Sequence, residues 1–114
     1  MENKEIAMKA AEVISEKKGE DIILIDIAER CSFADYFLNA TATNERQLTA
    51  LVDEVEEKLE KEAGILPRGV EGKPSSGWLL MDYGDIIVNI FLPDQRALYN
   101  LEKIWSDGQM TEIA

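Results

Sequence analysis

Apolar positions along this chain recur with two periods, and the switches between them mark the elements. Over residues 2–18 the spacing is helical: Ile6, Ala7, Ala10, Ala11, Val13 and Ile14 share one side, and Gly19 suits a C-terminal cap. Residues 21–27 (D-I-I-L-I-D-I) form an almost unbroken apolar run, the mark of a strand covered on both faces. After a turn at residues 29–32, residues 35–42 predict a second strand, hairpin-paired with the first. A second helix starts near Asn44, capped by Thr43 or Asn44, with Gln47 placed for a capping box. Its apolar stripe of Leu48, Leu51, Val52, Val55, Leu59 and Ala63 spans about 120° of the circumference. The opposite side is rich in Glu and Lys, and Gly64 ends the helix. Residues 65–77 are rich in glycine, proline and serine and predict a loop or a short irregular strand.

The stretch from Trp78 to Leu92 organises the rest. Two strand-length apolar arms flank Asp82-Tyr83-Gly84-Asp85, which predicts a hairpin turning at Tyr83-Gly84. In that register Met81 faces Ile86, Leu80 faces Ile87, Leu79 faces Val88 and Trp78 faces Asn89. Alternation puts Leu79, Met81, Ile86, Val88 and Ile90 on a core face. The other face carries Trp78, Leu80, Ile87, Asn89 and Phe91, with the carboxylates of Asp82 and Asp85 at its end. Large aromatics beside polar groups suit a recognition surface, and they equally suit a sheet face half covered by a helix. Asn89 interrupts an apolar strand, so it is bonded to a neighbour or lies at an interface.

A last helix is predicted over residues 95–105, with Asp94 as its cap. Ala97, Leu98, Leu101, Ile104 and Trp105 fall in one arc, the expected core side; Tyr99 points the other way with Arg96 and Lys103, as a candidate contact residue. The tail, from Ser106 and over residues 107–114, is polar and expected to fray. The element order is α-β-β-α-(loop/β)-β-β-α. It predicts a single α/β domain over residues 1–106, a mixed β-sheet of four to five strands packed by helices.

Composition narrows the function. Twelve basic residues against 23 acidic ones leave a net charge of −11, which disfavours direct contact with nucleic-acid phosphates and favours a basic partner. The sequence holds no histidine and one cysteine, Cys31, so the commonest general base and an internal disulfide are both unavailable. No apolar run has the length of a membrane span, residues 1–20 do not read as a targeting peptide, and a cytoplasmic protein is expected. Asp82 and Asp85, opposed at the hairpin end and joined by Asp26 and Asp35, offer a possible hard-cation site; the simpler reading is Asp as a turn residue. No nucleotide-binding motif and no activated nucleophile is present, so no cofactor and no catalytic residue is expected. A nucleotide- or metal-dependent transferase or phosphohydrolase using Asp82, Asp85 and Asp35 is the alternative from another class.

Three stretches together carry a resemblance: Trp78-x-Leu80-x-Asp82-x-Gly84-Asp85, Val88-Asn89-Ile90-Phe91, and Arg96-x-x-Tyr99-x-Leu101-Glu102-x-x-Trp105. With Ala34-Asp35-Tyr36-Phe37 and Asn44-x-Arg46-Gln47 upstream, the chain is similar to the ribosomal silencing factors, the RsfS or Iojap family. The likeness runs from the first helix to Trp105, with one departure: the family usually carries histidine where this chain has Asn89. It implies a nucleotidyltransferase-like fold lacking the Gly-Ser and Asp-x-Asp signature of active members. It also implies a non-enzymatic regulator that binds ribosomal protein number fourteen of the large subunit, blocks subunit joining and tends to form a homodimer. Trp78, Leu80 and Tyr99 are then the expected apolar anchors, and Asp82 and Asp85 the acceptors of basic side chains. Tyr83, Asn89 and Arg96 complete the expected partner-binding set.

Overall fold

The alanine-rich stripe forms its helix where expected: α1 spans Asn3–Glu16 and buries Ile6, Ala7, Ala10, Ala11, Val13 and Ile14. The left-handed residue after it is Lys18 (φ 72°), not Gly19. Glycine is required at position 19 for closeness instead. Its N–H donates to the Ile14 carbonyl at 2.8 Å, and a Cβ there would lie 2.3 Å from Ile14 Cγ2. The apolar run folds as β1, Glu20–Asp26, paired antiparallel with β2, Tyr36–Thr41.

Helix α2, Glu45–Ala63, starts at Asn44, whose Oδ1 accepts the Gln47 N–H at 2.8 Å, and stops at a left-handed Gly64 (φ 68°). The Gln47 side chain reaches past the cap residue: Oε1 accepts the Thr43 N–H at 2.7 Å. Its Nε2 donates to the carbonyls of Lys17 and Lys18. One glutamine thus ties the start of α2 to the end of α1.

Residues 65–77 take the irregular-strand option. They contain β3, Gly69–Lys73, followed by a 3-10 turn at Pro74–Ser76. Strands β4, Trp78–Asp82, and β5, Ile86–Phe91, form the expected hairpin in a register shifted by two residues. Trp78 pairs with Phe91, Leu80 with Asn89, Met81 with Val88 and Asp82 with Ile87. Gly84, at φ 85°, takes the first turn position where a side chain is strained, and Asp82 Oδ1 accepts its N–H at 2.8 Å. A shift of two preserves parity, so each side chain stays on its predicted face.

The computed structural model describes residues 1–104 and 109–113. Its sheet has six strands, in the order β3-β4-β5-β2-β1-β6, with β2 and β5 parallel and all other neighbours antiparallel. The strand beyond the expected four or five is β6, Gln109–Glu112, lying along β1 where a frayed tail was expected. Four exposed residues carry too little apolar pattern to read as a strand alone; the free edge of β1 supplies the hydrogen bonds.

Both long helices cover one face of the sheet, α1 over β1 and β2, α2 over β4 and β5. Beneath them Ile22, Leu24, Leu38, Ala40, Leu79, Met81, Ile86, Val88 and Ile90 complete the main core. The opposite face carries a smaller cluster of Ile25, Ile27, Ala34, Phe37 and Ile87. That face is left to the short helices α3, Pro93–Tyr99, and α4, Leu101–Ile104.

A candidate partner-docking face

The last helix departs most from expectation. It is broken at Asn100, which is left-handed (φ 44°) and separates α3 from α4. No side chain caps α3; Leu92, not Asp94, is its N-cap residue. Over α3 the predicted core side is turned outward, with Ala97 exposed and Leu98 73% exposed, while Arg96 and Tyr99 turn to the sheet. Past the break Leu101 packs inward as expected, against the cluster of Ile25, Phe37 and Ile87. The Ile104 side chain and Trp105, assigned to the same arc, lie outside the described residues. The inversion has a cause in the surface beneath, which presents Thr41, Trp78 and Phe91 instead of aliphatic side chains. Arg96 Nη1 donates to Thr41 Oγ1 at 2.8 Å and to the Asp21 carbonyl. Its Nε donates to Glu102 Oε1 at 2.8 Å, which ties α3 to α4.

Tyr99, 44% exposed, completes an aromatic group with Trp78 and Phe91. The Trp78 ring centroid lies 5.1 Å from that of Phe91, near parallel, and 4.4 Å from that of Tyr99 at 47°. Such pairs add roughly 0.5–1.5 kcal/mol each beyond the area they bury. Trp78 is thus half-buried, packed by Phe91 and Tyr99 and open at its remaining surface. Leu80, also half-buried, joins Trp78, Tyr99, Glu71, Gly72 and Ser76 around a depression of about 230 Å³. Gly72 (φ 99°) permits this closure, because a Cβ there would lie 2.2 Å from the Trp78 carbonyl oxygen.

Beneath the indole runs a buried amide ladder. Trp78 Nε1–H donates to Asn89 Oδ1 at 3.1 Å, and Asn89 Nδ2 donates to Asn39 Oδ1 at 3.0 Å. Both asparagines are fully buried, adjacent across the parallel β2–β5 pair. Asn89 therefore offers nothing to a partner directly; it fixes the indole from below. The ladder ends on Asn39 Nδ2, a buried donor with no partner, which costs about 1–3 kcal/mol.

The expected opposition of Asp82 and Asp85 is absent. Asp82 lies across from Ile87 and turns its carboxylate into the hairpin turn. Asp85 sits in the turn itself, where its Oδ2 accepts from Asn3 Nδ2 at 3.2 Å; the same amide donates to Asp35 Oδ2 at 3.1 Å. Asp26 Oδ1 accepts the Ala28 N–H. Among the described residues no group of three or more His, Cys, Asp or Glu side chains is placed to hold a metal. Partial burial first, and then the charges of Asp26 and Asp35, raise the phenol pKa of Tyr36 beside them.

Tyr83, expected at the partner surface, packs its ring against the helix-side core. Its hydroxyl oxygen is buried without a partner although the ring is only partly covered. Burial first, and the charge of Glu56 second, push this phenol well above its ordinary value. An acid with a raised folded pKa contributes stability that is complete below its unfolded value, about pH 10, and lost as pH rises beyond it. Tyr83→Phe is therefore expected to match or exceed the parent by up to about 1 kcal/mol at pH 7. It should also lose less stability at about pH 11. Urea titrations at both values check this, and a variant weaker at both would contradict it.

Sequence reading missed Glu71, Gly72 and Ser76 at the depression and Asn39 beneath it. The only signal for the first three was a glycine beside charged residues in a segment read as loop or irregular strand. Asn39 carried a polar interruption of its strand like that of Asn89.

The whole chain, residues 1–114, matches the protein family described as ribosomal silencing factor during starvation. The ribosomal silencing factor RsfS of Chromobacterium violaceum is 40% identical over 114 residues, 100% of this chain and 92% of the relative. That of Halalkalibacterium halodurans is 34% identical over 113 residues, 99% of this chain and 96% of the relative. A crystal structure of a Chromobacterium violaceum protein shares the fold with a TM-score of 0.87 at 39% identity, over 100% of this chain and 93% of that one. Matched along its full length in both sequence and fold, this chain belongs to the ribosomal silencing factor family.

Proposed function

We propose that this chain binds the large ribosomal subunit through its ribosomal protein number fourteen, sterically blocks joining of the small subunit and so represses translation. The observation that carries the reading is the Trp78–Leu80–Tyr99 depression, an aromatic surface held rigid from below on a strongly acidic domain. Acidic charge steers it to basic protein and away from ribosomal RNA. Steric blocking needs no reacting group, so the factor is not an enzyme and works in the cytoplasm without a cofactor. Trp78, Leu80 and Tyr99 are the contact residues; Arg96 and Asn89 act by holding them.

Sedimentation with separated subunits tests this. The chain should travel with large subunits and reduce their pairing with small ones. Large subunits that fail to retain it, or that pair freely while carrying it, would overturn the proposal. Folded Trp78→Ala is expected to bind large subunits about 30-fold more weakly, a loss of roughly 2 kcal/mol. Undiminished binding would remove Trp78 from the contact set.

A further inference from the structure

We propose that the depression walled by Trp78, Leu80 and Tyr99 receives an arginine side chain of the protein partner, with Glu71 as its counter-charge. This rests on the docking reading above and names the chemistry that docking uses. Antiparallel pairing sets Glu71 beside Leu80, on the face that carries the indole, and Glu71 lines the depression with the aromatic walls. Glu71 makes no ion pair or side-chain hydrogen bond among the described residues. The carboxylates expected to do this work are committed elsewhere, Asp82 to the Gly84 N–H and Asp85 to Asn3. Arg96, the cation nearest to Tyr99 in sequence, is paired with Glu102. Lys73, across from Trp78, stands on the same face but outside the depression.

The shape of the site selects among cations. The Trp78 and Tyr99 rings are in contact, their centroids 4.4 Å apart and tilted by 47°, and this wedge walls the depression together with Leu80. A guanidinium is flat, weakly hydrated and able to stack on an indole while its fork meets a carboxylate. An ammonium is compact and strongly hydrated, and gives up more on entering an apolar wedge. About 230 Å³ accommodates the guanidinium with part of its methylene stem. The net charge of −11 adds long-range attraction for such a partner.

The test is a nitrogen-15 NMR titration of the full chain with the tripeptide acetyl-Gly-Arg-Gly-amide. The neutral citrulline peptide of the same shape is the control. The reporter is the Trp78 indole N–H signal, identified by its loss in Trp78→Phe. The arginine peptide should displace that signal saturably, and the citrulline peptide should bind at least about fivefold more weakly. Glu71→Gln, with its spectrum otherwise preserved, should weaken the arginine peptide about tenfold. No saturable displacement, equal binding of citrulline, or an unaffected Glu71→Gln would each overturn the inference. Sedimentation separates this failure from that of the docking reading. Large subunits retaining wild type and Glu71→Gln equally would overturn the role of Glu71 while docking stands. If they retain neither, docking falls and the peptide titration still decides the pocket.

Discussion

Replacing Arg96 with alanine is expected to lower the unfolding free energy by about 3 kcal/mol and Tm by roughly 12 °C. The argument starts from what α3 lacks: it buries none of its residues and has no side-chain cap. A short helix without an apolar underside cannot stay on a sheet by hydrophobic burial. The Arg96 side chain, 12% exposed, supplies much of the attachment instead. It reaches Thr41 on β2, the Asp21 carbonyl on β1 and Glu102 on α4. Truncation would leave Glu102, 18% exposed, as a largely buried carboxylate with its pairing cation gone. Removing one member of such a pair costs more than the pair contributes. Arg96→Lys keeps the charge but loses the fork that meets three acceptors, and should lose about half as much. Thermal melts of both variants check the order. Arg96→Ala melting with the parent would show that α3 is held by other contacts. The same change should loosen Tyr99 from Trp78, so binding to large subunits should fall with stability.

How much of this was legible in the sequence depends on what lies beneath each element. The stripes of α1 and α2 were readable because the face they cover is aliphatic, so the residues that look buried are buried, with Ala63 at the end of α2 only partly covered. The hairpin faces were readable because alternation survives a register shift of two. The register itself was not, since both positions for Gly84 fit the local composition. Only the positive φ at the first turn position and the Asp82 side chain distinguish them. The α3 half of the last helix was misread for a different reason, whereas Leu101 beyond it was placed correctly. Helical periodicity reports which side is apolar, and converting that to an inner side assumes an apolar surface below. Here the surface is an asparagine pair, a threonine and an aromatic group, and an arginine is what such a surface recruits. The partner-facing role of Trp78, Leu80 and Tyr99 was suggested by aromatics beside polar groups. The depression they share also needed β3, which composition left ambiguous.

The same polar underside makes Asn89 the second sensitive position. Asn89→Leu is expected to destabilise the domain by about 3 kcal/mol although it exchanges a buried side chain for one of similar size. The amide is the only group in the ladder that both accepts and donates: it takes the Trp78 N–H and gives to Asn39 Oδ1. A leucine would leave the whole Asn39 amide without partners in a site closed to water and would strip the indole N–H of its acceptor. Asn39→Leu strips only one bond, because Asn39 Nδ2 is already unpaired, and is expected to cost about 1–2 kcal/mol. The double replacement decides whether the ladder is the cause. Removing both amides removes the polar groups that each single change would strand, so its cost should fall below the sum by at least about 1 kcal/mol. Strict additivity in urea titrations would mean that leucine is harmful at each site through packing alone. Above the ladder, an untethered indole should give Trp78 a displaced N–H resonance and a weaker grip on large subunits in Asn89→Leu. Neither should change in a core variant such as Leu59→Ala at equal loss of stability, because Leu59 lies on the opposite face of the sheet.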